Sequence, residues 1–426
     1  MEFAGAIVAA SLVAFALVSR RLARTPLTGP MVFMAVGLLF GPEVLDLVAI
    51  PDGTEVVSLL LEATLVVVLF TDAGAITSSR WREAAAIPGR LLGLGLPLAL
   101  AFGWMLALLL LGELAVWEAA VLATMLIPTD AALGKAVVSN PRVPERIRQG
   151  LNVESGLNDG IALPVFVVFL EAARTAEASL TPGDFVEELV PEIGVAVVVG
   201  AAVGWVGAVA VQRASRAEWA AGYWLQIAFV AIAVLAFALA DPLGGSGFIA
   251  AWVAGLAFGR VRRRSEDDLH QFAEETGDAL TMLSFLVFGL ALGPVLADVT
   301  WEMAVYAALS LVLVRVVAVA LSLLGSGLEP VSVLYLGWFG PRGLATLILT
   351  LVVVDTTELA GGSTIAGVAL LTVGLSVLAH GATSWWGSNA YADWVEAHPE
   401  REDLAETGGA PDVRIPRRAR SARHHW

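Results

Sequence analysis

Two stretches decide how this chain is interpreted: Pro128-Thr129-Asp130 and Asn152-Val153-Glu154-Ser155-Gly156-Leu157-Asn158-Asp159-Gly160. Both lie within long apolar segments, where a bilayer offers no water to solvate a charge. They nevertheless carry three carboxylates, those of Asp130, Glu154 and Asp159. An ionisable side chain inside a membrane is costly and therefore indicates a functional site. The alternative is a set of structural carboxylates neutralised by arginines.

The composition of the chain indicates a membrane protein. Of the 426 residues, 58% are apolar and 15% are charged, whereas soluble globular proteins are about 25% charged. The mean hydropathy is +0.78. Cysteine is absent from the sequence, which excludes disulfides and thiolate metal sites. The formal net charge of −15 argues against a nucleic-acid partner.

The hydropathy pattern predicts an all-α polytopic membrane protein with about 13 transmembrane helices, because roughly 20 residues cross the hydrocarbon core. The predicted segments are 3–19, 28–47, 56–74, 88–111, 116–137, 150–171, 187–212, 219–240, 245–260, 277–297, 301–324, 331–354 and 363–386. Glycine and proline interrupt the second, ninth and tenth. Arginines follow the first segment instead of preceding it, so we expect a retained span and not a signal peptide.

Cationic residues alternate between the connections and predict the orientation. They concentrate in odd-numbered connections: Arg20, Arg21, Arg24, Arg80, Arg82, Arg90, Lys135, Arg142, Arg146, Arg148, Arg213, Arg216, Arg260, Arg262, Arg263 and Arg264. The even-numbered connections lack Lys and Arg, except for Arg174. By the positive-inside rule, the N-terminus lies outside and the C-terminal tail is cytoplasmic. We expect a multi-pass protein of the cell (plasma) membrane, with a transmembrane domain over 1–387 and a tail over 388–426.

Two predicted segments are interrupted at corresponding places. The fifth contains Pro128 and Asp130, and the twelfth contains Pro341 and Arg342. Proline removes a backbone donor, so each helix is expected to unwind locally. The breaks are seven segments apart, and an odd offset reverses the direction through the membrane. The sequence therefore predicts inverted-topology repeats, segments 1–6 and 8–13, with two broken crossing helices, which is typical of a transporter's binding site.

The residues around the first break can form a cation site. A dehydrated monovalent cation needs several oxygen ligands, which Thr129 and Asp130 on the fifth segment and Ser155 and Asp159 on the sixth provide. Ser155 and Asp159 are four residues apart and share a helical face. A carboxylate removed from water can hold either a proton or a metal cation. A protein acts as an antiporter if a single site binds the proton and the cation competitively and crosses the membrane only when occupied.

Once the cations of the connections are set aside, two arginines remain within the predicted spans, Arg315 in the eleventh and Arg342 in the twelfth. Either one could form a structural ion pair with Glu154. The sequence pattern favours Arg342 as this partner, because it lies on the break that corresponds to the one at Pro128. His380 is predicted to be a structural hydrogen-bonding residue rather than a proton relay.

These residues resemble the monovalent cation:proton antiporter-1 family, the bacterial and archaeal sodium/proton antiporters of the NhaP type, which are related to animal sodium/proton exchangers. The resemblance covers essentially all predicted spans. It rests on Thr129-Asp130, on Glu154-Ser155-Gly156-Leu157-Asn158-Asp159-Gly160, on Arg315, on Gly340-Pro341-Arg342-Gly343 and on His380-Gly381. Members typically have Glu-Ser-x-x-Asn-Asp-Gly at the second of these.

The resemblance implies a dimerisation domain and a six-helix core domain, interleaved within 1–387, and a homodimer. It implies a Na⁺ site at Asp159, with Ser155, the Thr129 backbone and Asp130 nearby. It favours Arg315 as the partner of Glu154, and Asn158 is the residue of the electroneutral branch. The chain departs from the family pattern with Pro341 in place of leucine. It also has Asp72 where relatives often have glutamate, so Asp72 is a candidate ligand or gate residue, with a structural role as the alternative.

The predicted function is exchange of Na⁺, with Li⁺ or K⁺ as alternatives, for H⁺, serving pH homeostasis without ATP or an organic cofactor and without enzymatic activity. K⁺/H⁺ antiport is the first alternative. A passive cation channel would show uncoupled conductance instead. An intramembrane aspartyl protease would need a pair of catalytic aspartates, but the Gly-x-Gly-Asp pattern of such enzymes does not occur in the sequence.

Overall fold

The computed structural model describes residues 4–22, 25–48, 55–75, 86–177, 182–261, 267–355, 359–398 and 406. Within these residues the regular structure is entirely helical. The helices are α1 Ala4–Leu22, α2 Gly29–Phe40, α3 Glu55–Ala75, α4 Ala86–Leu110, α5 Val116–Met125, α6 Ala131–Val138, α7 Glu145–Glu177, α8 Pro182–Arg216, α9 Gly222–Ala240, α10 Gly247–Val261, α11 Asp267–Ala297, α12 Trp301–Ser322, α13 Pro330–Trp338, α14 Leu344–Asp355 and α15 Gly362–Glu396.

The helices confirm the all-α membrane class. Nine helices in the described part of the chain are long and apolar enough to cross a membrane, and four more are apolar but shorter. Helical residues occur in every predicted segment. The second and ninth hold short helices of 12 and 15 residues, whereas the tenth is a single helix of 31 residues. The count of 13 crossings and the inverted repeats stay predictions.

Both predicted helix breaks are present. Helix α5 ends at Met125 and α6 begins at Ala131, while α13 ends at Trp338 and α14 begins at Leu344. Proline cannot donate a backbone hydrogen bond, and it disfavours helical backbone in the residue before it. The two breaks touch, because the backbone N–H of Asp130 donates to the carbonyl of Pro341 at 2.8 Å. The unwound segments therefore cross one another inside the protein.

The helices pack as two groups. The panel group consists of α1–α3 and α8–α11, which pack mainly on one another, and the core group consists of α4–α7 and α12–α15. Glycines allow close approach within the panel group: a Cβ added at Gly37 of α2 would lie 2.0 Å from the Leu286 carbonyl of α11. Small residues that let helix backbones approach are typical of packing in membranes. The core group contains both helix breaks.

The last helix continues to Glu396, past the predicted start of the tail at residue 388. Arg142, in the loop before α7, binds its end by donating to Glu396 at 2.8 and 2.9 Å and by pairing with Asp393. This pairing lowers the pKa of the exposed Glu396 carboxyl below its ordinary value. The described tail residue Glu406 is buried and accepts hydrogen bonds from the Glu329 N–H and the Ser332 hydroxyl.

Some residues used in the sequence predictions cannot be placed. The cations Arg24, Arg80, Arg82, Arg262, Arg263 and Arg264 lie outside the described residues, as does most of the predicted tail. The division into a transmembrane domain and a tail stays a prediction.

Candidate functional site

Asp130 joins the two broken helices. Its Oδ1 atom accepts a hydrogen bond from the Leu133 N–H at 3.1 Å, and its Oδ2 atom accepts one from the Leu344 N–H at 2.8 Å. These donors belong to the first turns of α6 and α14. A carboxylate at a helix N-terminus satisfies free N–H groups and complements the positive end of the helix dipole. One side chain therefore caps two half-helices.

Arg342 occupies the opposite end of the crossing. Its Nη1 atom donates to the Ile127 carbonyl at 2.6 Å and to the Pro128 carbonyl at 3.2 Å. Its backbone N–H donates to the Ser376 hydroxyl at 2.6 Å. The buried guanidinium thus satisfies carbonyls that the break leaves without helical partners, where the dipole of α5 is negative. Ser376 in turn lies 3.1 Å from Nδ1 of His380.

Glu154 pairs with Arg315. The two Nη atoms of Arg315 donate to the two carboxylate oxygens of Glu154, the Nη2 contact measuring 2.8 Å, and both residues are buried. A paired fork of this kind is the strongest arginine–carboxylate geometry. Gly340 makes room for it, because a Cβ there would lie 2.5 Å from the Arg315 Nε atom. Of the two arginines that sequence reasoning considered, the structure places Arg315 beside Glu154.

Asp159 lies beside a small polar network. The Thr129 hydroxyl is 3.1 Å from the Ser155 hydroxyl, and Nδ2 of Asn158 donates to the Thr129 oxygen at 2.6 Å. Among the described residues, Oδ1 of Asp159, Oδ1 of Asn158 and the Thr71 hydroxyl are buried without a hydrogen-bond partner. Buried polar atoms are almost always satisfied, so these oxygens are candidates for a ligand.

A cavity leads to Asp159 from one end of the protein. It runs between the panel and core groups, and Asp72 of α3 faces the core across it. Asp72 packs on α7, where a Cβ added at Gly156 would lie 3.5 Å from the Asp72 Cβ. The charged and polar lining residues are Thr71, Asp72, Thr129, Asp130, Lys135, Asn152, Asp159, His270, Glu274, Asp278 and Thr281. The connections beyond Lys135 and before His270 are those predicted to be cytoplasmic.

The structure thus brings together six of the predicted site residues. The cavity reaches Asp159, Asp130, Thr129 and Asp72, while Ser155 and Asn158 lie behind Thr129. Glu154, Arg315 and Arg342 belong to separate pairings that hold the helices around it. His380 packs its ring on Trp338 at 5.0 Å between ring centroids.

Sequence reasoning missed several polar residues. Glu118 is buried and accepts hydrogen bonds from the N–H groups of Ala115 and Gly361, so it fastens the start of α5 to the start of α15. A glutamate three residues into a helix is the available signal. Lys135 was counted only as a charge in a cytoplasmic connection, and Asp278 was not considered. The spacing of His270, Glu274 and Asp278 at four-residue intervals is the signal for one polar face on α11.

Comparison with known proteins gives a consistent result. A family model described as sodium/hydrogen exchanger, transmembrane, matches residues 7–385. The K⁺/H⁺ antiporter NhaP2 of Shewanella sp. strain ANA-3 is 26% identical over 394 residues, which are 89% of this chain and 65% of that protein. The K⁺/H⁺ antiporter NhaP of Alkalimonas amylolytica is 28% identical over 75% of this chain and 55% of its own length. The chain spans less than two thirds of the length of these curated relatives.

The fold also matches a solved structure. The sodium proton antiporter MjNhaP1 from Methanocaldococcus jannaschii, determined at pH 8, superimposes with a TM-score of 0.71. The match covers 91% of this chain and 97% of that one, at 20% sequence identity. At this identity the likeness establishes a shared fold.

Proposed function

The chain belongs to the sodium/hydrogen exchanger family, and from this premise we propose that it is a secondary transporter exchanging Na⁺ for H⁺. The observation that carries the proposal is the cavity between the two helix groups that ends at Asp159, beside oxygens without partners. A protein of this kind needs a single site that a proton and a cation occupy in turn. Its ions are its substrates, and no nucleotide or organic cofactor enters the mechanism.

Asp159 is the proposed exchanging carboxylate. Its Oδ1 atom is buried and unpartnered, so either a proton or a metal cation can compensate its charge. The other proposed ligands are the Ser155 hydroxyl and the Thr129 backbone, with Asn158 and Asp72 beside them. A dehydrated monovalent cation binds best where several oxygens converge, and the unwound segment at Thr129 supplies carbonyls that are not used by a helix.

The remaining charged residues have proposed structural roles. Glu154 and Arg315 neutralise one another, and breaking a buried pair by removing one partner is strongly destabilising. Arg342 compensates the carbonyl end of α5, and Asp130 compensates the amino ends of α6 and α14. Of Asp130, Glu154 and Asp159, these fixed arrangements leave Asp159 as the carboxylate that is free to change its occupant.

The finer architecture is part of the proposal. It comprises 13 crossing segments, with segments 1–6 and 8–13 as inverted repeats, an external N-terminus, a cytoplasmic C-terminus and a homodimer in the plasma membrane. Two pairs of irregularities support the repeats. The broken helices belong to segments 5 and 12, and π-helical turns at Leu91–Gly95 and Ser310–Val314 belong to segments 4 and 11. Both pairs are seven segments apart.

K⁺/H⁺ antiport is the second candidate. The supporting observation is that curated relatives from Shewanella and Alkalimonas carry the name K⁺/H⁺ antiporter. Both ions use oxygen ligands, so the donor set around Asp159 suits either one.

The deciding experiment uses purified protein in proteoliposomes that enclose a pH-sensitive dye. Addition of Na⁺, Li⁺ or K⁺ at clamped zero potential is expected to drive proton movement, with Na⁺ effective at the lowest concentration. Protein-free liposomes provide the control. A folded protein that moves no protons with any of the three cations would refute antiport. Potassium as the preferred ion would replace Na⁺ by the second candidate, and cation current without coupled protons would identify a channel.

A further inference from the structure

An ion pair bridges the two helix groups at the mouth of the cavity. Nζ of Lys135, on α6 of the core group, pairs with Oδ2 of Asp278, on α11 of the panel group. Lys135 is the single lysine in the 426 residues, so no neighbouring lysine can replace it. Both side chains line the same cavity as Asp159. A cation entering from this end passes beside the pair.

Lys135 and Asp278 lie on helices that differ in length and in packing. Lys135 lies within α6, an eight-residue helix whose N-terminus is capped by Asp130, the residue that also caps α14. Asp278 lies on the 31-residue α11, which is packed against α2 through Gly37 and Gly289. The pair therefore connects the helix crossing at the cation site to the tightly packed panel group.

We propose that Lys135 and Asp278 form a latch that closes when the cavity is open at this end and separates in each transport cycle. The proposal rests on the proposed function, because a carrier must expose its site to the two sides of the membrane in turn. In such transporters one bundle rocks or slides against the other around the site. A contact that bridges the two bundles beside the cavity cannot persist through that movement.

The ion pair of Lys135 and Asp278 is weak enough to separate in each transport cycle. The side chains of Lys135 and Asp278 are 43% and 36% exposed. A partly exposed ion pair shifts an equilibrium by no more than about fivefold, because water screens the charges. The latch therefore favours the conformation with this cavity open without trapping it. The buried pair of Glu154 and Arg315 lies within the core group and moves with it as a unit.

Cross-linking tests whether the two residues separate. The sequence has no cysteine, so the double variant Lys135→Cys/Asp278→Cys introduces its only thiols. A short bifunctional thiol reagent is expected to reduce Na⁺-driven proton flux at least tenfold, and a reductant that cleaves the linker is expected to restore it. A long flexible reagent and the two single-cysteine variants serve as controls and should retain the flux. If protein cross-linked with the short reagent exchanges ions at the same rate as protein that is not cross-linked, the latch proposal is wrong.

Charge variants test the latch in a second way. Lys135→Gln and Asp278→Asn both break the pair, so each should lower the population with this cavity open and raise the half-saturating Na⁺ concentration there, by up to about fivefold. A purely local charge effect would raise the half-saturating Na⁺ concentration in one variant and lower it in the other, which would overturn the proposal. An unchanged half-saturating concentration in both variants would overturn it as well. The exchanged pair Lys135→Asp/Asp278→Lys should return to the wild-type value. A folded wild-type protein without exchange would instead refute the proposed function, and the latch with it.

Discussion

Gly343 approaches Asp130 so closely that a Cβ added at Gly343 would lie 1.9 Å from the Oδ2 atom of Asp130. The glycine thus leaves the space in which one carboxylate reaches the first turns of both α6 and α14. The helix crossing depends on this contact, because Asp130 satisfies donors on each side of it. The same crossing carries Thr129, one of the proposed cation ligands.

Gly343→Ala is therefore expected to displace the Asp130 carboxylate and to reduce exchange at least tenfold. Forcing an added methyl into a packed position costs about 1–3 kcal/mol of stability. Gly134→Ala is the matched control, since a Cβ added at this helical glycine meets no atom within 4 Å beyond its chain neighbours and the backbone of its own helix. The measurements are thermal unfolding of the purified protein and proton flux in proteoliposomes. Equal stability and flux in the two variants would contradict the role assigned to this contact.

Asp159→Asn is expected to abolish cation-driven proton movement while leaving a folded protein. The amide resembles the carboxylate in shape but cannot take up a proton or neutralise a cation at the site. The control is Asp298→Asn, which changes an exposed aspartate in the turn between α11 and α12. If reconstituted Asp159→Asn protein still shows Na⁺-driven proton movement, Asp159 is not the exchanging carboxylate.

Glu154→Gln is expected to lower stability by about 3–5 kcal/mol, because the buried Arg315 charge loses its partner. The loss should exceed that of Asp159→Asn, whose Oδ1 atom has no hydrogen bond to lose. Glu275→Gln, on the exposed face of α11, is the matched control. Thermal unfolding in detergent measures the difference. A Glu154→Gln protein as stable as the control would show that the ion pair contributes little to the fold.

The identity of this pair illustrates what the sequence could and could not predict. Pro128 and Pro341 predicted both helix breaks, because the effect of proline on a helix is local. The partner of Glu154 depends on a contact across 161 positions, and the local pattern of matching breaks favoured Arg342 instead. The space that Gly340 leaves for Arg315 appears only once α12 and the break are packed together.

The sequence predicted which residues share a helix better than it predicted which residues face the cavity. The four-residue spacing correctly put Ser155 and Asp159 in one helix, since both belong to α7. Lys135 was assigned to a cytoplasmic connection from its charge alone, and the positive-inside rule cannot show which cations face a cavity. The second segment was predicted to continue to residue 47, because hydropathy continues past Phe40, whereas α2 ends at Phe40.

Asp72→Asn is expected to raise the half-saturating Na⁺ concentration about tenfold, or about 1.4 kcal/mol of binding free energy, with a smaller effect on the maximal rate. Asp72 faces the site from the panel group and contributes a carboxyl group to the cavity without belonging to the crossing. Asp72→Glu keeps the charge and should stay within a few-fold of wild type. An unchanged half-saturating concentration in Asp72→Asn would assign Asp72 a structural role.

Exchange is expected to be electroneutral, with one proton moved per monovalent cation. Asn158 is a neutral amide that donates to Thr129, and Asp130 is held by the N–H groups of both half-helices. With Asp159 as the sole exchanging carboxylate, the occupied site has the same net charge with H⁺ or Na⁺. The membrane potential then does no work on exchange, whereas each uncompensated charge would experience about 2.3 kcal/mol per 100 mV.

The test is Na⁺-driven proton flux in proteoliposomes whose potential is clamped with valinomycin at either sign. A flux independent of the potential, and no Na⁺-evoked current on a solid-supported membrane, are the expected results. A flux that scales with the potential would mean that a second proton moves in each cycle. Asp130 would then be the first residue to examine, because protonation of its carboxylate competes with the two backbone N–H groups that donate to it. The helix crossing would in that case open with every turnover instead of staying fixed around the site.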